Sequence, residues 1–120
     1  MEITKRITVF DAADLAAESA FWAGLLGGTV EAEDDWHTVY VDKQPQLGFQ
    51  LAPDHRRPQW PDGVPQQIHL DLYITDLAGA HAEAMALGAE LLQAAEDPDG
   101  PEGFQVYADP AGHPFCLCWG

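Results

Sequence analysis

The sequence predicts an α+β fold built from two βαβββ modules, and three observations carry that prediction. A run of strand, capped helix, glycine stop and strand occurs twice along the chain. Ile7 lies seven residues before Asp14 and His69 lies seven before Asp76, and each aspartate is followed by leucine and an alanine-rich stretch. A segment from Pro53 to Pro65 with four prolines parts the two copies.

Taken in order, Ile3 to Phe10 is rich in β-branched residues and reads as a strand. Asp11 to Asp14 reads as a turn, with Asp14 the N-cap of a helix whose inner face carries Leu15, Ser19, Trp22 and Leu26. Gly27-Gly28 stops that helix. Residues Thr29–Ala32, Thr38–Val41 and Leu47–Ala52 read as three short strands, split by turns at Glu33-Asp34-Asp35 and Asp42-Lys43-Gln44-Pro45. After the linker the pattern restarts. Gln67 to Ile74 alternates, with Ile68, Leu70, Leu72 and Ile74 on one face and His69, Asp71 and Tyr73 on the other. Asp76 caps a second helix with Leu77, Ala80, Ala84 and Leu87 inward, and Gly88 ends it. Ala89–Gln93, Phe104–Ala108 and Pro114–Trp119 read as strands, with an acidic loop from Glu96 to Gly103. The expected organisation is one domain over 1–120, with module one at about 1–52, a linker at 53–66 and module two at about 67–120. Halves this small should share a core or pair with another chain.

Bulk properties narrow the function. Twenty acidic against five basic side chains give a net charge of −15, which argues against nucleic-acid binding and favours cationic ligands or plain solubility. No apolar run approaches the roughly 20 residues of a membrane span, and the N-terminus lacks a signal-peptide pattern, so a cytoplasmic location is expected. Cys116 and Cys118 are two apart in one strand, a poor geometry for a disulfide, and read as reduced thiols.

The polar row His69, Asp71 and Tyr73 stands opposite an apolar row that should pack on helices, so it should line a ligand cup. By the same alternation Phe115, Leu117 and Trp119 should pack on helices while Cys116 and Cys118 face the cup, as small apolar filler or as reactive groups. Trp22 reads as core. Trp36-His37 and Trp60 either stack on a planar or cationic ligand or pack locally. The basic cluster His55-Arg56-Arg57 either meets a ligand carboxylate or pairs with surface acids.

The restart at His69, the Asp-Leu opening of both helices and the closing Asp109-Pro110-Ala111-Gly112-His113-Pro114-Phe115 resemble the vicinal oxygen chelate superfamily of glyoxalase I, bleomycin-resistance proteins and extradiol dioxygenases, and within it the small bacterial glyoxalase-like proteins. The resemblance covers nearly the whole chain. It implies modules whose strands form a curved, cup-shaped mixed sheet with helices outside, commonly in a homodimer. It also implies four metal-binding positions in the metal-dependent members, which fall here on Ile7, Gln50, His69 and Cys116. Only His69 keeps an expected ligand type. A hard ion wants several oxygen donors, so no cofactor is expected; zinc could accept His69 and a Cys116 thiolate with Gln50 as a weak third. If the strands pair as the resemblance implies, His69 could also act as base to the Cys116 thiol.

The leading expectation is therefore a small-molecule binder of the glyoxalase/bleomycin-resistance type without the standard metal site. Its ligand would meet Ile7, Trp36, His37, Gln50, Trp60, Asp71, Tyr73, Cys116 and Cys118, with His69 as the candidate catalytic residue. Alternatives are a metal-independent lyase, isomerase or hydrolase using His69 as general base, a zinc-dependent glyoxalase-like enzyme, and an interaction protein with a vestigial cup.

Overall fold

A computed structural model describes residues 2–120. The chain divides into two compact units, Met1–His55 and Arg56–Gly120. Each unit is a βαβββ module with its own four-stranded mixed sheet and one helix.

The first unit runs β1 (Thr8–Ala12), α1 (Leu15–Leu26), β2 (Thr29–Ala32), β3 (Trp36–Val41) and β4 (Gln44–Leu51). Its strand order is β1-β4-β3-β2, with β1 and β4 parallel and the other pairs antiparallel. The predicted elements are present with shifted edges. Residues 3–7 precede the first strand rather than joining it, and Asp11 and Ala12 belong to that strand rather than to a turn. Ala12 is fully buried, which holds the strand in place up to the cap. The β3–β4 turn contracts to Asp42-Lys43, both at positive φ, and Gln44 and Pro45 join the strand. That left-handed pair is the geometry that suits a tight hairpin.

Asp14 caps α1 as expected, its carboxylate accepting from the Ala17 amide. Gly27 closes the helix at φ 69°, a conformation that favours glycine. The helix packs Trp22 and Phe21 onto the sheet, where Trp22 meets Phe10 edge-on and Phe10 meets Phe49. Trp22, Val39 and Phe49 are fully enclosed. Ser19, on the same helix face, is buried because His37 of β3 reaches it, Oγ to Nδ1 at 2.8 Å.

The second unit repeats the plan: β5 (Leu70–Tyr73), α2 (Leu77–Leu87), β6 (Glu90–Gln93), β7 (Gly103–Ala108) and β8 (Pro114–Trp119), in the order β5-β8-β7-β6. The first strand is shorter than the sequence alternation suggests. Ile68 stands 62% exposed instead of packing on the helix, since it precedes the pairing with β8. Asp76 caps α2 through the Gly79 amide. The core is Phe115, Leu117 and Tyr107, with Tyr107 stacked on Phe115. Gln105 donates to the Tyr107 hydroxyl at 2.7 Å, which in turn lies 2.8 Å from His81 Nδ1 on α2. Burial raises the Tyr107 phenol pKa, and the Gln105 hydrogen bond partly opposes that.

Candidate functional site

In each unit one face of the sheet packs on the helix and the other does not. The β5–β8 register sets what the second unit's free face carries. Leu70 stands opposite Phe115 and Leu72 opposite Leu117, which puts Asp71 opposite Cys116 and Tyr73 opposite Cys118 on the far side. The β7–β8 register adds Phe104 opposite Cys118 and Val106 opposite Cys116. His69, two residues before Asp71, brings its Nε2 to 3.3 Å from Asp71 Oδ1. The result is an open concavity of about 560 Å³ lined by His69, Asp71, Tyr73, Cys116 and Cys118, together with Glu102, Phe104 and Trp119.

The turn before β8 holds this register. Asp109 is buried and accepts the His113 amide on its carboxylate at 2.8 Å, and its own amide donates to the His113 carbonyl at 3.0 Å. Gly112 sits at φ 89°, which favours glycine. Arg57 of the linker donates to the Pro110 carbonyl, so this arginine ties linker to turn.

Electrostatics in the concavity run against a free nucleophile. Burial, then the Asp71 charge, then Cys118 and a hydrogen bond with Asp71 push the Cys116 thiol up to about 12. Burial and then Asp71 push Cys118 up as well. A Cys116–His69 nucleophile pair is thus disfavoured, because the thiol stays protonated near neutral pH.

The other expected residues lie elsewhere. His37 is on the helix-facing side of β3, held by Ser19, and so is turned away from the free face. Trp36 and Gln50 are directly opposite each other on the first unit's free face, with Asp11 opposite Gln50 on β1. The Trp36 indole lies on Gly48 and donates to the Thr38 hydroxyl at 3.0 Å. Ile7 is half-buried just before β1. Trp60 is half-buried in the linker, before a cis peptide bond to Pro61. Trp119, expected on the helix, lies against Gly103 and donates to the Gly100 carbonyl at 3.1 Å, which brings it to the rim of the concavity. Glu102 and Phe104 escaped the sequence reading. Phe104 alternates with the buried Gln105, a usable signal, but only the pairing with Cys118 tells which face it takes.

The register also corrects the equivalence between modules. Counting back from the caps, Val9 matches Asp71, and Val9 stands opposite Gly48 as Asp71 stands opposite Cys116. Gly48, not Gln50, is therefore the counterpart of Cys116, and Gln50 matches Cys118. The four positions implied for a metal, Ile7, Gln50, His69 and Cys116, comprise one aliphatic chain, one neutral amide, one imidazole and one thiol. That set does not fit a hard ion, which requires several oxygen donors.

Two βαβββ modules of this topology, with an open concavity on the free face of a sheet, define the glyoxalase/bleomycin-resistance/dioxygenase class of fold. The glyoxalase-like domain family matches residues 7–118, and the chain belongs to that family, within the vicinal oxygen chelate superfamily. No curated protein sequence matches the chain. Among solved structures it is similar to the fosfomycin resistance protein FosX of Listeria monocytogenes (TM-score 0.72, 14% identity, covering 100% of this chain and 95% of that one). It is also similar to a glyoxalase/bleomycin resistance protein/dioxygenase family enzyme of Burkholderia phytofirmans (TM-score 0.69, 18% identity, 93% and 94% covered). A glyoxalase family protein of Enterococcus faecalis compares at TM-score 0.68 and 19% identity, with 93% and 94% covered. At these identities the likeness concerns the fold. No helix among the described residues is long and apolar enough to cross a membrane.

Proposed function

We propose that the protein binds a small organic cation, with an aromatic or apolar body, in the concavity of the second module. One observation carries this reading. The lining combines the aromatic side chains Tyr73, Phe104 and Trp119 with the carboxylates Asp71 and Glu102, and contains no lysine or arginine. Aromatic faces attract a cation through their quadrupole, and a carboxylate beside them adds direct charge pairing. Tyr73 is 73% exposed and Phe104 50% exposed, so apolar surface waits uncovered there. The net charge of −15 steers cations in the same direction. The working form would be a cytoplasmic homodimer without the hard-ion centre implied for metal-dependent relatives.

The test is calorimetric titration of chelator-treated protein with amines and quaternary ammonium ions, each matched to a carboxylate of equal size. Cations should bind and anions should not, and Phe104→Ala and Asp71→Asn should each weaken binding about tenfold or more. A preference for the anions would overturn the reading.

A second reading, catalysis with His69 as general base, is favoured by the Asp71 carboxylate at 3.3 Å, which orients the imidazole as a base requires. A reaction lost in His69→Ala while cation binding persists would select it.

A further inference from the structure

The His69–Asp71–Cys116 cluster has a geometry that ligand stacking does not use. We propose that His69 Nε2, a carboxylate oxygen of Asp71 and Cys116 Sγ form a three-donor site for a borderline divalent ion, zinc above all, held entirely within the second module. The three donor atoms all lie within 4.8 Å of one another. His69 Nε2 and Asp71 Oδ1 are 3.3 Å apart. Two ligands each about 2.0 Å from a tetrahedral zinc stand about 3.3 Å apart, so this pair already has the spacing of one edge of the coordination tetrahedron.

The backbone supplies the convergence without any loop. Asp71 and Cys116 face each other across the parallel β5–β8 pair, and His69 stands two residues along on the same side. The donor set, one imidazole, one carboxylate and one thiolate, selects the ion. A thiolate disfavours magnesium and calcium, while nitrogen and sulfur together suit zinc. Three protein ligands leave a fourth position open, and here it would face the concavity beside Tyr73, Phe104 and Trp119.

This set differs from the four positions implied by the resemblance. It omits Ile7 and Gln50, both in the first unit, and adds Asp71. The first unit's matching residues, Ile7, Val9 and Gly48, carry no donor atom. Without an ion, the Asp71 carboxylate holds the Cys116 thiol in its protonated form; with one, the thiol gives up its proton to solvent and both groups bind the same charge. The site does not depend on the cation-binding reading, although zinc and an organic cation would compete for Asp71.

The experiment is titration of the chelator-treated full-length chain with Co²⁺ alone, with no organic ligand present. The readout is the near-ultraviolet thiolate-to-cobalt charge-transfer absorption, followed by displacement with Zn²⁺. One equivalent per chain should bind with that band. Cys116→Ser should abolish the band while the fold, checked by circular dichroism, is retained. His69→Ala and Asp71→Asn should each weaken binding at least about tenfold. Gln50→Ala, in the first unit, should titrate like the parent protein. Absence of the band at saturating cobalt would overturn the site, as would a band that survives Cys116→Ser or is lost in Gln50→Ala.

Discussion

Phe49 in the first module and Leu117 in the second hold the same place in the repeat. Each sits on the strand that runs parallel to its module's first strand, opposite Phe10 and Leu72 respectively, and each is buried. One residue earlier the modules part company: Gly48 stands beneath the Trp36 indole, whereas Cys116 faces Asp71. The repeat has kept the side of each sheet that packs on its helix and diverged on the other side. Helix-facing residues must fill a closed volume, so shape holds them. Free-face residues meet no such demand and can follow chemistry instead.

Both sheets also bind their helix by a histidine hydrogen bond, but with the partners reversed. In the first module Ser19 on the helix meets His37 on the strand, and in the second His81 on the helix meets Tyr107 on the strand. Ser19 and His81 are each five residues beyond their cap aspartate. The helix positions are equivalent but the strand positions are not: His37 stands opposite Phe49, and its counterpart opposite Leu117 is Gln105, which itself donates to the Tyr107 hydroxyl.

The largest effect that would break this comparison lies in the cores. Phe49→Ala should destabilise by about 3–5 kcal/mol and Leu117→Ala by about 2–5 kcal/mol, through cavities in equivalent places. Urea unfolding measures both, and a cost below about 1 kcal/mol in either would mean that the two cores are not equivalent. A smaller effect comes from the glycines under the indoles. A Cβ on Gly48 would lie 2.5 Å from the Trp36 ring, and one on Gly103 would lie 2.6 Å from the Trp119 ring. Gly48→Ala and Gly103→Ala should each cost about 1–3 kcal/mol by displacing a ring, read as a lowered thermal midpoint.

The smallest effect sharpens the difference between the free faces. In metal-free protein the fold favours the protonated Cys116 thiol. Its contribution to stability is therefore complete below the ordinary value of 9.0 and is lost as pH rises from there toward about 12. Asp71→Asn removes the carboxylate's charge and its hydrogen bond to the thiol and leaves burial and Cys118, so iodoacetamide should modify Cys116 faster than in the parent at the same pH, without reaching the rate of an exposed cysteine. Peptide mapping after timed alkylation gives the rates, and an unchanged rate would show that Asp71 does not act on the thiol.

Much of this was legible in the sequence because it is local. Asp14 and Asp76 announce both helices, Gly27 and Gly88 end them, and alternation puts His69, Asp71 and Tyr73 on one side. What was not legible depends on pairing across strands. His37 looked free because nothing local shows that Ser19, eighteen residues earlier, would reach it. Gln50 looked equivalent to Cys116 because the register of β4 on β1 is set in space, not by counting from a cap. Phe104 and Trp119 join the concavity for the same reason: the antiparallel β7–β8 pairing brings them there, and Glu102 follows as the residue just before β7.

The turn at Asp109 to His113 thus acts as a spacer as well as a connector. Side chains alternate along β8, so lengthening or shortening that turn by one residue would exchange the strand's two faces. Phe115 and Leu117 would come into the concavity, and both thiols would go against the helix. A single inserted or deleted codon in this loop would replace the two thiols beside Asp71 and Tyr73 with phenylalanine and leucine while leaving the β5 side chains unaltered. Loop length here sets the chemistry of the open face as firmly as any substitution on it.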